Sequence, residues 1–336
     1  MIAAPTFEEL FTSQAIGAAK AMIETDALAL RGKSFLSMAD VDAEQLQGIL
    51  RIAAAMDVAH KAGAPLFTFR YPKSLAMIFE KPSLRTRVTF DLGFRQLGGN
   101  TVLLGPNDIG MGKRESVKDV AHNLERWVDV IMARVFEHEK LTGLRDHSSV
   151  PVINALSDYE HPCQTVADLH TILQHKGSFE GLRLVWVGDG NNVLHSLMLG
   201  AALTGLRLDA VCPKGFWPDA DVVRQAKSLA SDPDSIRVTE ELELVSGADI
   251  VYTDTWTSMG QEEEAERRRT IFANYQVNEA LMARAKPEAI FMHCLPAHRG
   301  EEVTDEVLDG PQSVIYDQAE NRLYAQKAIM ALLVGP

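Results

Sequence analysis

Two hydroxyls and two guanidinium groups crowd one short stretch of this sequence, Phe79-Glu80-Lys81-Pro82-Ser83-Leu84-Arg85-Thr86-Arg87-Val88-Thr89-Phe90. Ser83 and Thr86 supply the hydroxyls, and Arg85 and Arg87 supply forked, permanently charged donors. Free backbone N–H groups at a helix start add to them, and the whole makes a seat for a phosphate. The apolar run Leu75–Phe79 before it reads as a buried strand of a parallel sheet. Pro82 ends that strand and suits the first turn of a helix, and a helix-compatible run follows from Val88. A short basic cluster more often means a solvated turn whose arginines pair with surface acids. Strand, Pro stop and alternating hydroxyl and Arg donors together favour the phosphate seat.

Five further clusters could do chemistry. His161-Pro162-Cys163-Gln164 puts an imidazole and a carboxamide at a helix start, which favours a developing oxyanion and disfavours a protonated ring. Such a His is more often a cap or a core residue, and no second His or carboxylate stands at zinc spacing, so no metal is expected. Gly188-Asp189-Gly190-Asn191-Asn192-Val193, with Asp209 downstream, imitates a dinucleotide fingerprint. It breaks at Val193, where a small residue is needed. The turn is therefore read as bringing Asn191 or Asn192 into a cleft as an amide ligand. Asp254, at a strand end, opens a Gly-containing loop with Ser258, Met259 and Gly260, a candidate lid with an anchor for a substrate ammonium. The run Glu262–Arg269 after it is by itself a solvated helix face. Cys294 follows the apolar Phe291-Met292-His293, either as a structural thiol or as a nucleophile with His161 or His293 as base. Glu320-Asn321-Arg322 supplies one more guanidinium.

The elements that must hold these groups repeat one pattern. Strands are expected at Leu75–Phe79, Thr101–Leu104, near Val130–Val135 and at Pro151–Leu156. They are expected again at Leu184–Val187, Leu208–Val211, Asp249–Thr253, Ala289–His293 and Ser313–Tyr316, with helices between them. This alternation predicts an α/β protein of two doubly wound parallel-sheet domains. Gly177–Gly181 marks the boundary, and a last helix from about Ala319 to Leu333 crosses back to the first domain. Residues 1–33 are an Ala-rich N-terminal extension, 34–177 with 319–336 the first domain, and 178–318 the second. Each polar cluster follows the carboxyl end of a strand, where ligands of open α/β sheets bind, so the site is expected in the cleft between the domains.

The totals narrow the class. The 336 residues suffice for two cored domains, with 46% hydrophobic and 24% charged residues as in ordinary globular proteins. A net charge of −13 argues against nucleic acid or an anionic membrane as partner. Cys163, Cys212 and Cys294 are widely spaced, without CxxC, which fits a reducing compartment. No apolar stretch reaches roughly 18 residues. Glu8, Glu9, Glu24 and Asp26 argue against a transit peptide, so a cytoplasmic protein is expected.

Together the clusters resemble the aspartate/ornithine carbamoyltransferase family from about Ser34 to Gly335, and within it the branch that uses ornithine. The resemblance implies transfer of a carbamoyl group from carbamoyl phosphate to the δ-amine of L-ornithine, giving L-citrulline and phosphate without metal or organic cofactor. Acceptance of a modified ornithine or a diamine such as putrescine is the alternative. It further implies that Ser83, the Leu84 backbone, Arg85, Thr86 and Arg134 bind the phosphate, and that Thr86, Arg134 and His161 polarise the carbonyl. Gln164, the Leu295 carbonyl and Arg322 would hold the carbamoyl amide, with Asn192, Asp254, Ser258 and Met259 on ornithine. Cys294 would sit beside Asp254 at the reacting centre. A homotrimer is implied as well, with sites at subunit interfaces. Two positions depart from the family pattern: Leu84 replaces the usual Thr, and Gly110 stands where Gln or His is usual.

Overall fold

The computed structural model describes residues 13–257 and 264–336. The chain forms two compact units, one of residues up to Gly177 together with Glu320–Pro336, the other of Ser178–Ala319.

The first unit runs α1 (Ser13–Thr25), α2 (Ala43–Lys61), β1 (Ser74–Phe79), α3 (Leu84–Gln96), β2 (Asn100–Leu104), α4 (Pro106–Ile109), α5 (Val117–Leu124), β3 (Val130–Arg134), α6 (His138–Asp146), β4 (Val152–Leu156) and α7 (Pro162–Lys176). Because helices intervene between successive strands, neighbours in the sheet run parallel, in the order β2-β1-β3-β4. Central β1 and β3 are apolar and buried, whereas edge strand β2 is largely exposed. Ile78, Ile131, Ala133, Leu141 and Val152 belong to one continuous core between sheet and helices.

The second unit runs β5 (Arg183–Val187), α8 (Asn192–Thr204), β6 (Arg207–Val211), α9 (Ala220–Leu229), β7 (Ile236–Thr239), β8 (Ile250–Thr253), α10 (Ala265–Phe272), α11 (Glu279–Met282), β9 (Ile290–His293) and α12 (Asp305–Leu308). Its parallel sheet has the order β7-β6-β5-β8-β9, reversing direction at β5, so β5 and β8 part their connections to opposite sides. Val185, Val187, Val251 and Phe291 centre its core. Helix α13 (Ile315–Val334) starts in this unit and from Glu320 onward belongs to the first. There Leu333 O accepts from Gly32 N at 2.9 Å, and Lys327 Nζ donates to Gln96 Oε1 at 3.0 Å.

Three elements depart from expectation. Helix α3 starts at Leu84, not near Val88, and Pro82 lies before its cap. The expected strand Ser313–Tyr316 reduces to a bridge between Ser313 and Phe291, because the chain turns helical at Ile315. Strand β7 was not anticipated: it is a half-exposed edge strand whose Arg237 interrupts the apolar signal.

Candidate active site

In the first unit, Ser83 is extended (φ −162°) and its hydroxyl accepts from Thr86 N at 3.3 Å, capping α3. That cap places Arg85, Thr86 and Arg87 inside the first helical turn. Thr86 is buried, Arg85 half-buried, and the Leu84 side chain 75% exposed. Glu80 N donates to Arg134 O at 2.8 Å, joining the loop after β1 to the end of β3, where Arg134 is buried.

His161 stands at the N-cap position of α7 without a side-chain capping bond, Pro162 occupies the first turn, and Gln164 follows Cys163. Helix α13 brings Arg322 to this place. Its Nη2 donates to Thr86 Oγ1 at 2.9 Å, its Nη1 to Gln164 Oε1, and Nη1 lies 3.4 Å from His161 Nε2. Gln164 Nε2 in turn donates to buried Asp168 Oδ1 at 2.8 Å, which fixes the orientation of the carboxamide. Burial, and then the positive charges of Arg322, Arg134 and Arg85, hold the His161 pKa well below the ordinary histidine value. The result is a neutral imidazole among three guanidinium groups. Such a place suits a small dianion bearing a carbonyl: cations meet the phosphate charge, and a neutral ring hydrogen-bonds the carbonyl without adding repulsion.

In the second unit, the turn after β5 is shaped by contact with its own chain. Gly190 N donates to Phe216 O at 2.8 Å, and a Cβ on Gly190 would stand 2.2 Å from Pro218 N. The space a dinucleotide's pyrophosphate needs at such a turn is filled by residues 216–218. Asp209 is buried and engaged by Arg183 at 3.4 Å and Arg237 at 3.5 Å. The nicotinamide reading therefore fails on geometry as well as on Val193.

Asn191, not Asn192, is the amide tied to Asp254. Its Oδ1 caps α8 by accepting from Val193 N at 3.0 Å and Leu194 N at 3.2 Å, while its Nδ2 donates to Asp254 Oδ2 at 2.8 Å. Asn192 is the partly exposed first residue of α8. Cys294 Sγ donates to the other oxygen of Asp254, Oδ1, at 3.1 Å. Leu295, next in sequence, has a left-handed backbone (φ 58°) and donates its N–H to His293 Nδ1 at 2.9 Å. Beside this cluster Arg268 Nη1 donates to Asp189 Oδ2 at 3.0 Å and to Trp256 O at 2.9 Å, and its Cζ lies 4.9 Å from the Phe216 ring centre. Burial pushes the Asp189 carboxyl up to about 6, with Arg268 opposing. Arg268 thus ties the Trp256 carbonyl to the Asp189 carboxylate. Ser258 and Met259 lie outside the described residues.

Among the described residues, Asp254, His293 and Cys294 offer three metal-type donor atoms within 4.8 Å of one another, as do His298, Glu301 and Glu302. Linear spacing hid the first group because β8 and β9 deliver its members from separate segments. Asp254, Cys294 and His293 Nδ1 already carry hydrogen bonds within the protein. Gly110 ends α4 at φ 61°, in the left-handed region, where a Cβ would meet Arg114 Cβ at 3.0 Å. Its tight turn explains a glycine in place of a side chain that could reach outward.

The carbamoyl-P binding domain of aspartate/ornithine carbamoyltransferase matches residues 33–174, and the Asp/Orn binding domain of the same enzymes matches residues 180–333. The chain is 49% identical over 310 residues to the ornithine carbamoyltransferase of Thermococcus kodakarensis, covering 92% of this chain and 98% of that one. It is 46% identical over 310 residues to a Pyrococcus furiosus protein named "Ornithine carbamoyltransferase, anabolic", with coverages of 92% and 98%. The solved ornithine carbamoyltransferase structure from Pyrococcus furiosus superposes with a TM-score of 0.88 at 47% identity, covering 91% of this chain and 98% of that one. With its two parallel-sheet units and the clusters they carry, this chain belongs to the aspartate/ornithine carbamoyltransferase family.

Proposed function

We propose that this chain is an ornithine carbamoyltransferase: it moves the carbamoyl group of carbamoyl phosphate to the δ-amine of L-ornithine, giving L-citrulline and phosphate. The observation that carries the reading is the neutral, buried His161 set among Arg85, Arg134 and Arg322. Few substrates other than an acyl phosphate ask for a dianion seat and an uncharged carbonyl partner at once. In this reading Ser83, the Leu84 backbone, Arg85, Thr86 and Arg134 take the phosphate oxygens. Arg134 and His161, with Thr86, stabilise the carbonyl oxygen. Gln164, Arg322 and the Leu295 carbonyl orient the carbamoyl amide. Asp254, with Asn192, Ser258 and Met259, receives the amino and carboxylate groups of ornithine, and Cys294 stands at the reacting centre.

The free δ-amine attacks the carbonyl carbon, a C–N bond forms, and charge builds on the carbonyl oxygen facing the donors. The C–O bond to phosphate then breaks, its electron pair leaves with phosphate, and the nitrogen loses a proton. The donors act by orientation and charge stabilisation, so no covalent enzyme intermediate is needed. A lysine-like amine of pKa ~10.4 is free base in only about one molecule in 2,500 at pH 7, so the rate should climb toward alkaline pH.

Assembly with copies of itself, as a trimer, is part of the same proposal. Leu84, Val88 and Leu92 form an exposed stripe along α3, and Val102 and Leu103 of edge strand β2 are exposed too. A cytoplasmic location is proposed with it, as is an anabolic direction, the word carried by the name of the Pyrococcus furiosus relative. Among the described residues no helix is long and apolar enough to cross a membrane. The test is citrulline formation from carbamoyl phosphate with ornithine, acetylated ornithine, putrescine and aspartate compared across pH. Turnover with ornithine alone is expected. Preference for another amine would overturn the substrate assignment.

A further inference from the structure

Glu302 lies outside the groups assigned above, yet its carboxylate is fully buried. It sits on a returning turn pinned by Val277 N, which donates to Glu302 O at 2.9 Å, and by Gly300 N, which donates to Val303 O at 2.9 Å. Its Oε1 accepts from His298 N at 2.5 Å and lies 3.3 Å from His293 Nε2, while its Oε2 is 3.6 Å from His298 Nδ1. His293 is also fully buried, and its backbone N–H donates to Gln318 Oε1 at 2.9 Å. A buried carboxylate so placed needs a function that a hydrophobic residue could not supply.

The direction of the bonds fixes the tautomer of the His293 ring. Leu295 N–H can only donate, so His293 Nδ1, 2.9 Å away, carries no proton. The ring proton therefore sits on Nε2, facing the Glu302 carboxylate. Glu302 selects this tautomer, and only this tautomer offers Leu295 an acceptor. Leu295 needs one: a leucine at φ 58° is strained, and it relaxes unless its surroundings hold it. One residue earlier, Cys294 Sγ donates to Asp254 Oδ1 at 3.1 Å. Any relaxation of Leu295 turns its carbonyl and shifts that thiol.

We propose that Glu302 is a positioning residue for carbamoyl transfer, acting through the His293 ring to hold the Cys294–Leu295 backbone in its working conformation. The proposal rests on the carbamoyl-transfer reading for its kinetic consequence, but not for its structural one. Glu302→Met, which keeps bulk and removes the acceptor, should lower kcat about 100-fold, the usual cost of misplacing a reacting group by about 1 Å, with both KM values within a few-fold. Glu302→Gln retains an acceptor oxygen and should restore most of the rate. Nitrogen-15 imidazole spectra supply the readout that simple destabilisation would not move. His293 should be a single Nε2–H tautomer in the unaltered protein and in Glu302→Gln, and a mixture in Glu302→Met.

If Glu302→Met does not fold, His293→Gln carries the test: its amide reaches toward Glu302 but places no acceptor at the Nδ1 position, and the same loss of kcat is expected. Unchanged kcat in Glu302→Met or His293→Gln overturns the proposal. So does a single Nε2–H tautomer persisting in Glu302→Met. An unaltered protein that fails to make citrulline while showing the expected tautomer would refute the carbamoyl-transfer reading and leave the His293 geometry standing.

Discussion

Asn191 performs two tasks with one side chain, and substitutions can separate them. Its oxygen caps α8 and its nitrogen donates to the buried Asp254 carboxylate at 2.8 Å. Loss of the cap costs about 1 kcal/mol, and loss of a hydrogen bond to a charged group about 2 kcal/mol. Asn191→Ala should therefore lower the unfolding free energy by about 3 kcal/mol, measured by urea denaturation. Asn191→Ser keeps a capping oxygen but has no donor that reaches Asp254, so it should lose only about 2 kcal/mol. If that bond orients Asp254 toward ornithine, the same 2 kcal/mol appears as a fall of about 30-fold in kcat/KM for ornithine in both variants. The KM for carbamoyl phosphate should not change in either. Asn191→Asp keeps the cap and sets a second carboxylate against Asp254, so the pair would share a proton and ornithine use would acquire a new acidic limb. Ornithine kinetics in Asn191→Ser equal to those of the unaltered protein would refute the argument, as would equal stabilities of the Ser and Ala variants.

Three other perturbations test the remaining parts. Arg85→Ala should raise the KM for carbamoyl phosphate by about 100-fold through loss of a charge-assisted contact, and near-normal kinetics would remove the phosphate assignment. Arg268→Met leaves Asp189 buried beside a lost partner and frees Trp256 O, so a destabilisation of about 3 kcal/mol and a raised KM for ornithine are expected from denaturation and kinetics. Burial first, and Lys61 second, depress His170 to about 4, so the folded state binds its proton less readily than the unfolded chain, whose histidines titrate near ~6.5. Stability should accordingly fall as pH drops from ~6.5 toward 4, by on the order of 3 kcal/mol from this residue, and His170→Leu should flatten that part of the profile.

The central strands were legible because both of their faces are buried, which turns Leu75–Phe79 and Val130–Ala133 into unbroken apolar runs. The half-exposed strand Ile236–Thr239 gave no such run. The placement of single residues flanking the strands was legible where it was local, as with Ser83 at the cap of α3 and Arg85 and Thr86 in its first turn. Spacing and residue type alone, without the family resemblance that grouped Gln164 with Arg322, could not reveal which distant partners meet. Arg322 reaches Thr86 across 236 positions and Gln164 across 158, and nothing near Arg322 announces either. The pairing of Asn191 with Asp254 spans 63 positions, and the adjacent Asn192 is its chemical equal in sequence. Only the helix cap distinguishes the two, since Oδ1 of the capping residue must face the first turn.

The return of helix α13 to the first unit also dictates an order of assembly. A ribosome delivers β1, α3 and α7 early, and with them Thr86, His161 and Gln164. Arg322 follows only after the whole of Ser178–Ala319 has been synthesised. A nascent chain can therefore fold the strands of its first unit long before that unit has its third guanidinium. Carbamoyl phosphate is a reactive compound, and a half-made protein that held it would gain nothing from doing so. On the proposed reading, placing the final cation after the second unit ties the maturation of the anion seat to the completion of the part that receives the amine.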